Sequence, residues 1–307
     1  MKTQLLTIGA LALSLLTASA QEIATWAGWK KAAVTYTFDD APNEWQSHNW
    51  AATEMNKYGF PGTFYVVTNW GNFSSYQTLA NNGHEIGSHT VSHSANSGEL
   101  ATSQNNINNT ISGQKCLTIA YPECKVIANT LQYYIGARIC GGQTNSKSPN
   151  DYSRLDSYIC GNQGKNSTTA ITDVFKGAAG SGGWAVLLIH GIQGMQANGS
   201  YSPLAQDAFK GSLDFLNQNK STYWVATFRD AILYAKERDN ASFVKTAESN
   251  TEISYSLTDN LEDGIYNYPL SLKVPVPDGW GELVVAQNGE EIEHSVSGDA
   301  VYFKAVP

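Results

Sequence analysis

Residues 32–40 read Ala32-Ala33-Val34-Thr35-Tyr36-Thr37-Phe38-Asp39-Asp40. A run of alanine, β-branched and aromatic residues without Gly or Pro predicts a buried strand over 32–38. It ends on two carboxylates, and an amphipathic, helix-like stretch follows over 43–57. The same order recurs along the chain. A strand over 62–67 precedes a polar helix over 76–82, and a strong apolar strand over 184–190 precedes a helix over 203–217. A strand over 223–226 precedes a helix over 228–238, and 85–88, 117–121 and 137–140 are shorter strand candidates. Strand-then-helix alternation predicts a parallel α/β architecture, open or closed into a barrel.

The texture changes near residue 240. Period-two alternation is clearest over 253–257 and 270–274, with further strand candidates at 283–286 and 300–305. Turn signals stand at Pro277-Asp278-Gly279 and Asn288-Gly289. This predicts a small C-terminal β-sandwich-like accessory domain over 240–307. Binding carbohydrate and mere packing or spacing are both open roles for it.

The chain of 307 residues is 42% hydrophobic and 15% charged, which excludes disordered and coiled-coil classes. A net charge of −8 argues against nucleic acid or an anionic membrane surface as partner. Met1-Lys2, an apolar run over 5–16 and Ala18-Ser19-Ala20 predict a secretory signal peptide over 1–20. The run is shorter than the roughly 20 residues a membrane span needs. A secreted, extracellular protein without membrane insertion is therefore expected. In such a chain Cys116, Cys124, Cys140 and Cys160 are expected to pair as two disulfides, their connectivity open.

Three features carry chemistry, each at the C-terminal end of a predicted strand. Asp39-Asp40 could supply a metal ligand and a neighbouring base, or a turn pair before the next helix. His89 and His93 stand four apart, so on a helical turn both would face one way, a spacing that suits two imidazoles on one Zn²⁺. Two exposed histidines are the alternative. His190 ends the apolar run 184–189, at the mouth of the sheet where α/β proteins place ligands, or else is capped by backbone groups in a turn.

In this order the motifs resemble those of the polysaccharide deacetylase family, the NodB-homology domain of carbohydrate esterase family 4. Thr37-Phe38-Asp39-Asp40 is similar to its first motif, His89-Thr90-Val91-Ser92-His93 to its second, and Leu188-Ile189-His190 to its fifth. The resemblance implies a distorted (β/α) barrel with fewer than eight regular strands, in a catalytic domain over 21–239. It implies hydrolysis of acetyl groups on a glycan. Asp40, His89 and His93 would hold a divalent metal, with zinc expected; Asp39 would be the general base and His190 the general acid. N-acetylglucosamine polymers such as chitin or peptidoglycan, or O-acetylated xylan, are the implied substrates. A non-catalytic carbohydrate-binding protein on the same scaffold is the alternative, and no protein partner is implied.

The third motif departs from the family pattern R-x-P-[YF]-G, since the matching segment is Ala120-Tyr121-Pro122-Glu123-Cys124. Pro122 keeps the turn and the Glu123 N–H could serve an oxyanion, but Ala120 replaces the Arg that orients the base. Arg138, within 137–140, is the candidate replacement, with an exposed surface Arg as the alternative. No fourth-motif D-x-x-D-W segment occurs; Asp151 and Asp156 lie in its interval, and what orients His190 is unassigned. Trp45, Trp70 and Tyr121 are candidates for stacking on a pyranose face.

Overall fold

The structure, a computed structural model, describes residues 4–8, 21–195, 200–277 and 279–307. Most of the expected leader, and Asp278 of the predicted turn, lie outside the described residues. The chain divides into two compact units. One is Lys31–Ile232; the other joins the described residues of Met1–Lys30 to Leu233–Pro307.

Two strands precede the larger unit, β1 (Gln4–Ile8) and β2 (Glu22–Ile23). The larger unit opens with β3 (Ala32–Ala41), α1 (Trp45–Asn56), β4 (Thr63–Val66), α2 (Gln77–Asn81), β5 (Glu85–Ser88) and α3 (Leu100–Thr110). It continues with β6 (Thr118–Ala120), β7 (Gly136–Arg138), β8 (Tyr158–Ile159), α4 (Thr168–Ser181), β9 (Trp184–Ile189), α5 (Gln206–Gln218) and β10 (Tyr223–Val225). These strands pair in the order β7-β6-β5-β4-β3-β9-β8, and every pairing is parallel.

The long central strand explains the distortion. β10 pairs with the first part of β3 at Ala32–Val34, and β4 pairs with its last part from Thr37 to Ala41. The opposite edge of β3 is taken by β9. The sheet curls until the segment entering β8 reaches β7 through an Arg138–Leu155 bridge. The result is the distorted (β/α) barrel expected. All six residues of β9 and all but Asp40 of β3 are buried, as in parallel strands covered on both faces.

Two helices, α3 and α4, have no counterpart among the predicted elements. α4 is held by its caps: the Ser167 hydroxyl accepts from Ala170 N–H, and Gly182 ends the helix in the left-handed region at φ 69°. Its buried face is Ile171, Val174, Phe175 and Ala178, a 3–4 spacing that packs into the barrel's core.

α6 (Phe228–Asn240) begins in the larger unit and ends in the smaller one. The smaller unit then adds β11 (Ser242–Glu248), β12 (Ile253–Thr258), β13 (Leu270–Pro275), β14 (Ala286–Gln287), β15 (Glu290–Glu291), β16 (His294–Ser297) and β17 (Ala300–Ala305). They form two antiparallel sheets, β11-β12-β1-β14-β15 and β16-β17-β13-β2. The two-sheet tail is as expected, but its membership is wider. Residues 21–30, grouped with the catalytic region by sequence, belong here because β2 pairs with β13. Gln4–Ile8 of the expected leader is the strand between β12 and β14.

The cysteine expectation is corrected. Cys124 and Cys140 form a disulfide with Cα atoms 5.8 Å apart, whereas Cys116 and Cys160 are free and buried. Cys116 sits before β6 and Cys160 after β8, each enclosed as a small apolar residue in the core.

Candidate active site

The C-terminal ends of the barrel strands converge on one cleft of about 360 Å³. β3 delivers Asp39 and Asp40, β5 leads into His89, and β9 leads into His190. Tyr121 and Glu123 follow β6, Ile159 ends β8, and all of these line the cleft. Such placement follows from parallel strands, whose carboxyl ends open together on one rim.

Asp40, His89 and His93 form the tightest group, their potential ligand atoms all within 4.8 Å of one another. Asp40 Oδ1 lies 3.5 Å from His89 Nε2 and 3.4 Å from His93 Nε2, and it is buried without a hydrogen-bond partner. His89 Nδ1 lies 2.8 Å from the Ala120 carbonyl, which can only accept, so the proton is on Nδ1 and the Nε2 lone pair faces Asp40. An orphaned carboxylate oxygen and a lone pair directed at it fit a divalent cation. Burial pushes the Asp40 carboxyl up, but the imidazoles around it, His89 first and then His190 and His93, hold it well below the usual carboxylate range.

The two histidines do not meet on a helical turn as expected. Residues 89–93 are an irregular loop, with Thr90 and His93 in the left-handed region at φ 67° and 62°. Glu99 holds that loop: its carboxylate accepts from Val91 N–H at 2.8 Å, Ser92 N–H at 2.9 Å and the Ser92 hydroxyl at 2.6 Å. Nine described non-glycine residues have positive φ, and Asp40, Thr90, His93, Glu123 and Cys124 are five of them. Backbone strain is concentrated around the cleft.

Asp39 is enclosed by charge. Its Oδ2 pairs with Arg138 Nη2 and lies 3.9 Å from His89 Nε2. Arg138 also donates to the Ser157 hydroxyl at 3.1 Å and lies over the Tyr65 ring at 5.6 Å. In the β6–β7 register Arg138 stands directly opposite Ala120. The guanidinium thus comes from the strand next to the one that carries it in the family pattern.

The segment after β6 keeps the turn. Cys124 N–H is taken by the Tyr121 carbonyl at 3.1 Å and Lys125 N–H by Pro122 at 3.0 Å. The N–H just before them, on Glu123, meets no acceptor among the described residues. Glu123 and Cys124 are both left-handed, at φ 51° and 60°, and the disulfide to Cys140 ties this turn to the end of β7. The Glu123 carboxylate turns to solvent and pairs with Lys125.

His190 Nε2 is 3.6 Å from Asp40 Oδ2, and its ring meets Tyr201 edge-on at 5.0 Å. Burial pushes the imidazole pKa down, and Asp39 and Asp40 offset this only in part. Its Nδ1 has no partner among the described residues. Neither interval aspartate orients it: Asp156 accepts from Gly142 and Ser157 N–H, and Asp151 caps a short turn at Ser153. His190 is instead held through its backbone, where His48 Nε2–H donates to its carbonyl at 3.1 Å. His48 Nδ1 then accepts from the Tyr76 hydroxyl at 2.8 Å.

Of the two tryptophan candidates, neither lines the cleft. Trp45 turns onto Tyr76 at 4.9 Å and joins the core, and Trp70 packs beside His93 at 5.1 Å. Tyr121 does line the cleft, as does Tyr201, which sequence reasoning missed because nothing local to it signals a site.

Fold and cleft together define a distorted (β/α) barrel with a group of candidate metal ligands at the carboxyl ends of its strands. Residues 28–134 match the family model for polysaccharide deacetylase. Over 300 residues the chain is 30% identical to a gellan lyase from Bacillus sp, covering 88% of this chain and 12% of that protein. The chain therefore spans only a small part of that relative. A structure from Mycobacterium smegmatis assigned to the polysaccharide deacetylases superposes with a TM-score of 0.52 at 15% identity, over 76% of this chain and 100% of that one. The Xyl-CE4 domain of a multidomain xylanase from the hindgut metagenome of Trinervitermes trinervoides gives a TM-score of 0.44 at 20% identity, over 65% and 88% of the two chains. Among the described residues no helix is long and apolar enough to cross a membrane.

Proposed function

We propose that this chain is an exported, metal-dependent deacetylase that removes acetyl groups from a polysaccharide. The observation that carries the reading is the buried Arg138–Asp39 pair beside the Asp40, His89 and His93 cluster, with His190 facing them across one cleft. A non-catalytic sugar-binding scaffold has no need of an acid, a base and a ligand cluster in register.

Asp40, His89 and His93 would hold the cation, with zinc favoured by the two imidazoles and one carboxylate. When bound, such an ion supplies Lewis acidity and lowers the pKa of water towards about 7. Asp39 takes one proton from the attacking water, and Arg138 fixes the carboxylate that does so. The Glu123 N–H donates to the oxyanion as the acetyl carbon becomes tetrahedral. His190, in its protonated form, delivers one proton to the departing nitrogen or oxygen. Acetate and a free amine or hydroxyl leave, and both side chains re-equilibrate with solvent. Tyr121 and Tyr201, which line the cleft, orient the sugar.

The same chemistry serves amide and ester, so chitin oligomers, peptidoglycan and acetylated xylan all remain substrates to compare. Acetate release from the three, side by side, tests the reading. Release from at least one by the wild type and none by Asp39→Asn is expected; release unchanged in Asp39→Asn overturns it. Export rests on residues 1–20; cleavage after Ala20 would take β1 (Gln4–Ile8) out of the sheet between β12 and β14, so the N-terminus of the secreted product shows directly whether those residues act as a leader or as a strand.

A further inference from the structure

The smaller unit has a cleft of its own, of about 440 Å³, and every residue lining it belongs to that unit. Its volume lies within the roughly 300–1,000 Å³ of ordinary ligand sites. The floor is the face of β13, β16 and β17 that carries Tyr302, with Ser295 and Lys273 directly opposite it on the flanking strands. Trp29 stands over this face. Its ring meets Tyr302 edge-on at 5.5 Å, and Lys273 Nζ lies 5.5 Å from its centre.

Trp29 is held there at a cost. Its φ is 62°, a region that a bulky side chain rarely adopts, and Gly28 before it is also left-handed at φ 67°. The turn is tied down by Gly28 N–H donating to the Ser271 hydroxyl at 2.8 Å. Strain of this kind persists where the surroundings impose it, and it marks functional sites. Around the two rings stand Glu293, His294, Ser295 and Lys304, a carboxylate, an imidazole, a hydroxyl and an ammonium. Apolar ring faces rimmed by both donors and acceptors match one chemistry, a pyranose: its C–H face packs on the ring while its hydroxyls both give and accept hydrogen bonds. A lipid or an apolar helix would leave those polar groups unpaired.

We infer that the Trp29–Tyr302 cleft is a carbohydrate-binding site, separate in its residues from the catalytic cleft, that takes a sugar of the polysaccharide on which the enzyme works. The existence of the site stands on the cleft itself; the choice of ligand rests on the deacetylase reading.

The test uses the full chain, with chelator present to stop turnover, and measures depletion by insoluble chitin, peptidoglycan and acetylated xylan. Trp29→Ala and Tyr302→Ala are each expected to weaken retention on the bound polymer at least about tenfold, in line with losing an aromatic anchor. Acetate release from a short soluble oligomer, measured with metal restored, should stay at the wild-type level. Should either variant lose its unfolding transition, the double variant Glu293→Gln/His294→Ala, altered only at the rim, is expected to show the same split. Folded variants that bind as the wild type does, or a wild type that no polymer retains, overturn the inference. Polymer binding that depends on Trp29 without any acetate release supports the site and sinks the deacetylase reading instead.

Discussion

Arg138 Nη2 pairs with Asp39 Oδ2 across 99 residues of chain, with 1% and 3% of the two side chains exposed. Charges so deeply withdrawn are tolerated only as a pair, because each alone would lose its hydration without compensation. Arg138→Ala is expected to destabilise the fold by about 3–5 kcal/mol. It should lower turnover towards the roughly 10²–10⁴-fold that a positioned base contributes. Arg138→Lys, which keeps the charge but not the planar fork, should fall between. Thermal unfolding and kcat on one acetylated oligomer check both effects; wild-type turnover in Arg138→Ala would show that Asp39 needs no such partner.

Glu99 touches no candidate catalytic atom, yet it fixes the loop between the two imidazoles through three hydrogen bonds. Glu99→Ala should free His93 and weaken zinc binding by about 10–100-fold, as expected for a residue that supports a metal ligand. The fold should survive, since the loop is at the surface. A competitive zinc titration against a chromophoric chelator reads the change directly.

The Cys124–Cys140 bond closes a loop of 16 residues and secures the turn bearing the Glu123 N–H. Reduction, or Cys124→Ser, should cost up to about 3 kcal/mol of stability by the chain-entropy relation. It should also lower kcat more than it raises KM, because an oxyanion donor acts in the transition state. Thiol titration of the denatured, unreduced protein should find the two thiols of Cys116 and Cys160 and no more.

Glu237, in the smaller unit, is buried beside Asp259, and its carboxyl is pushed up from 4.5 to about 8 by burial and then by that neighbour. The folded state therefore prefers the protonated acid. Its stabilising share is full below about pH 4.5 and is lost as pH rises through about 8. Unfolding midpoints measured across that window should fall with pH in the wild type. In Glu237→Gln the slope should flatten, and an unchanged slope would assign the dependence to other groups.

The fold class was legible because residues 32–38 and 184–190 are long apolar runs ending on polar chemistry, a pattern buried parallel strands produce. α3 and α4 were not. Leu100–Thr110 is rich in Asn and Thr, and Thr168–Ser181 carries β-branched residues and two glycines, so intrinsic helix propensity is low and tertiary packing decides. At the site, Asp39, Asp40, His89, His93 and His190 could be picked out because motif order is a linear property. The link from Arg138 to Asp39 depends on β7 lying beside β6 with Arg138 opposite Ala120, which spacing alone does not encode. Arg138 could therefore be named only as a candidate, His48 had no role to assign and Glu99 and Tyr201 gave no signal, since each acts through contacts that only the folded chain creates.

The central claim is that acetyl hydrolysis here depends on a cation held by Asp40, His89 and His93. The direct measurement is acetate release from the best of the three glycans before chelation, after exhaustive chelation and dialysis, and after one equivalent of zinc is returned. The account predicts loss of release on chelation, recovery with zinc, and no recovery in His93→Ala at the same zinc level. Release that continues undiminished in the chelated, metal-free protein would contradict it.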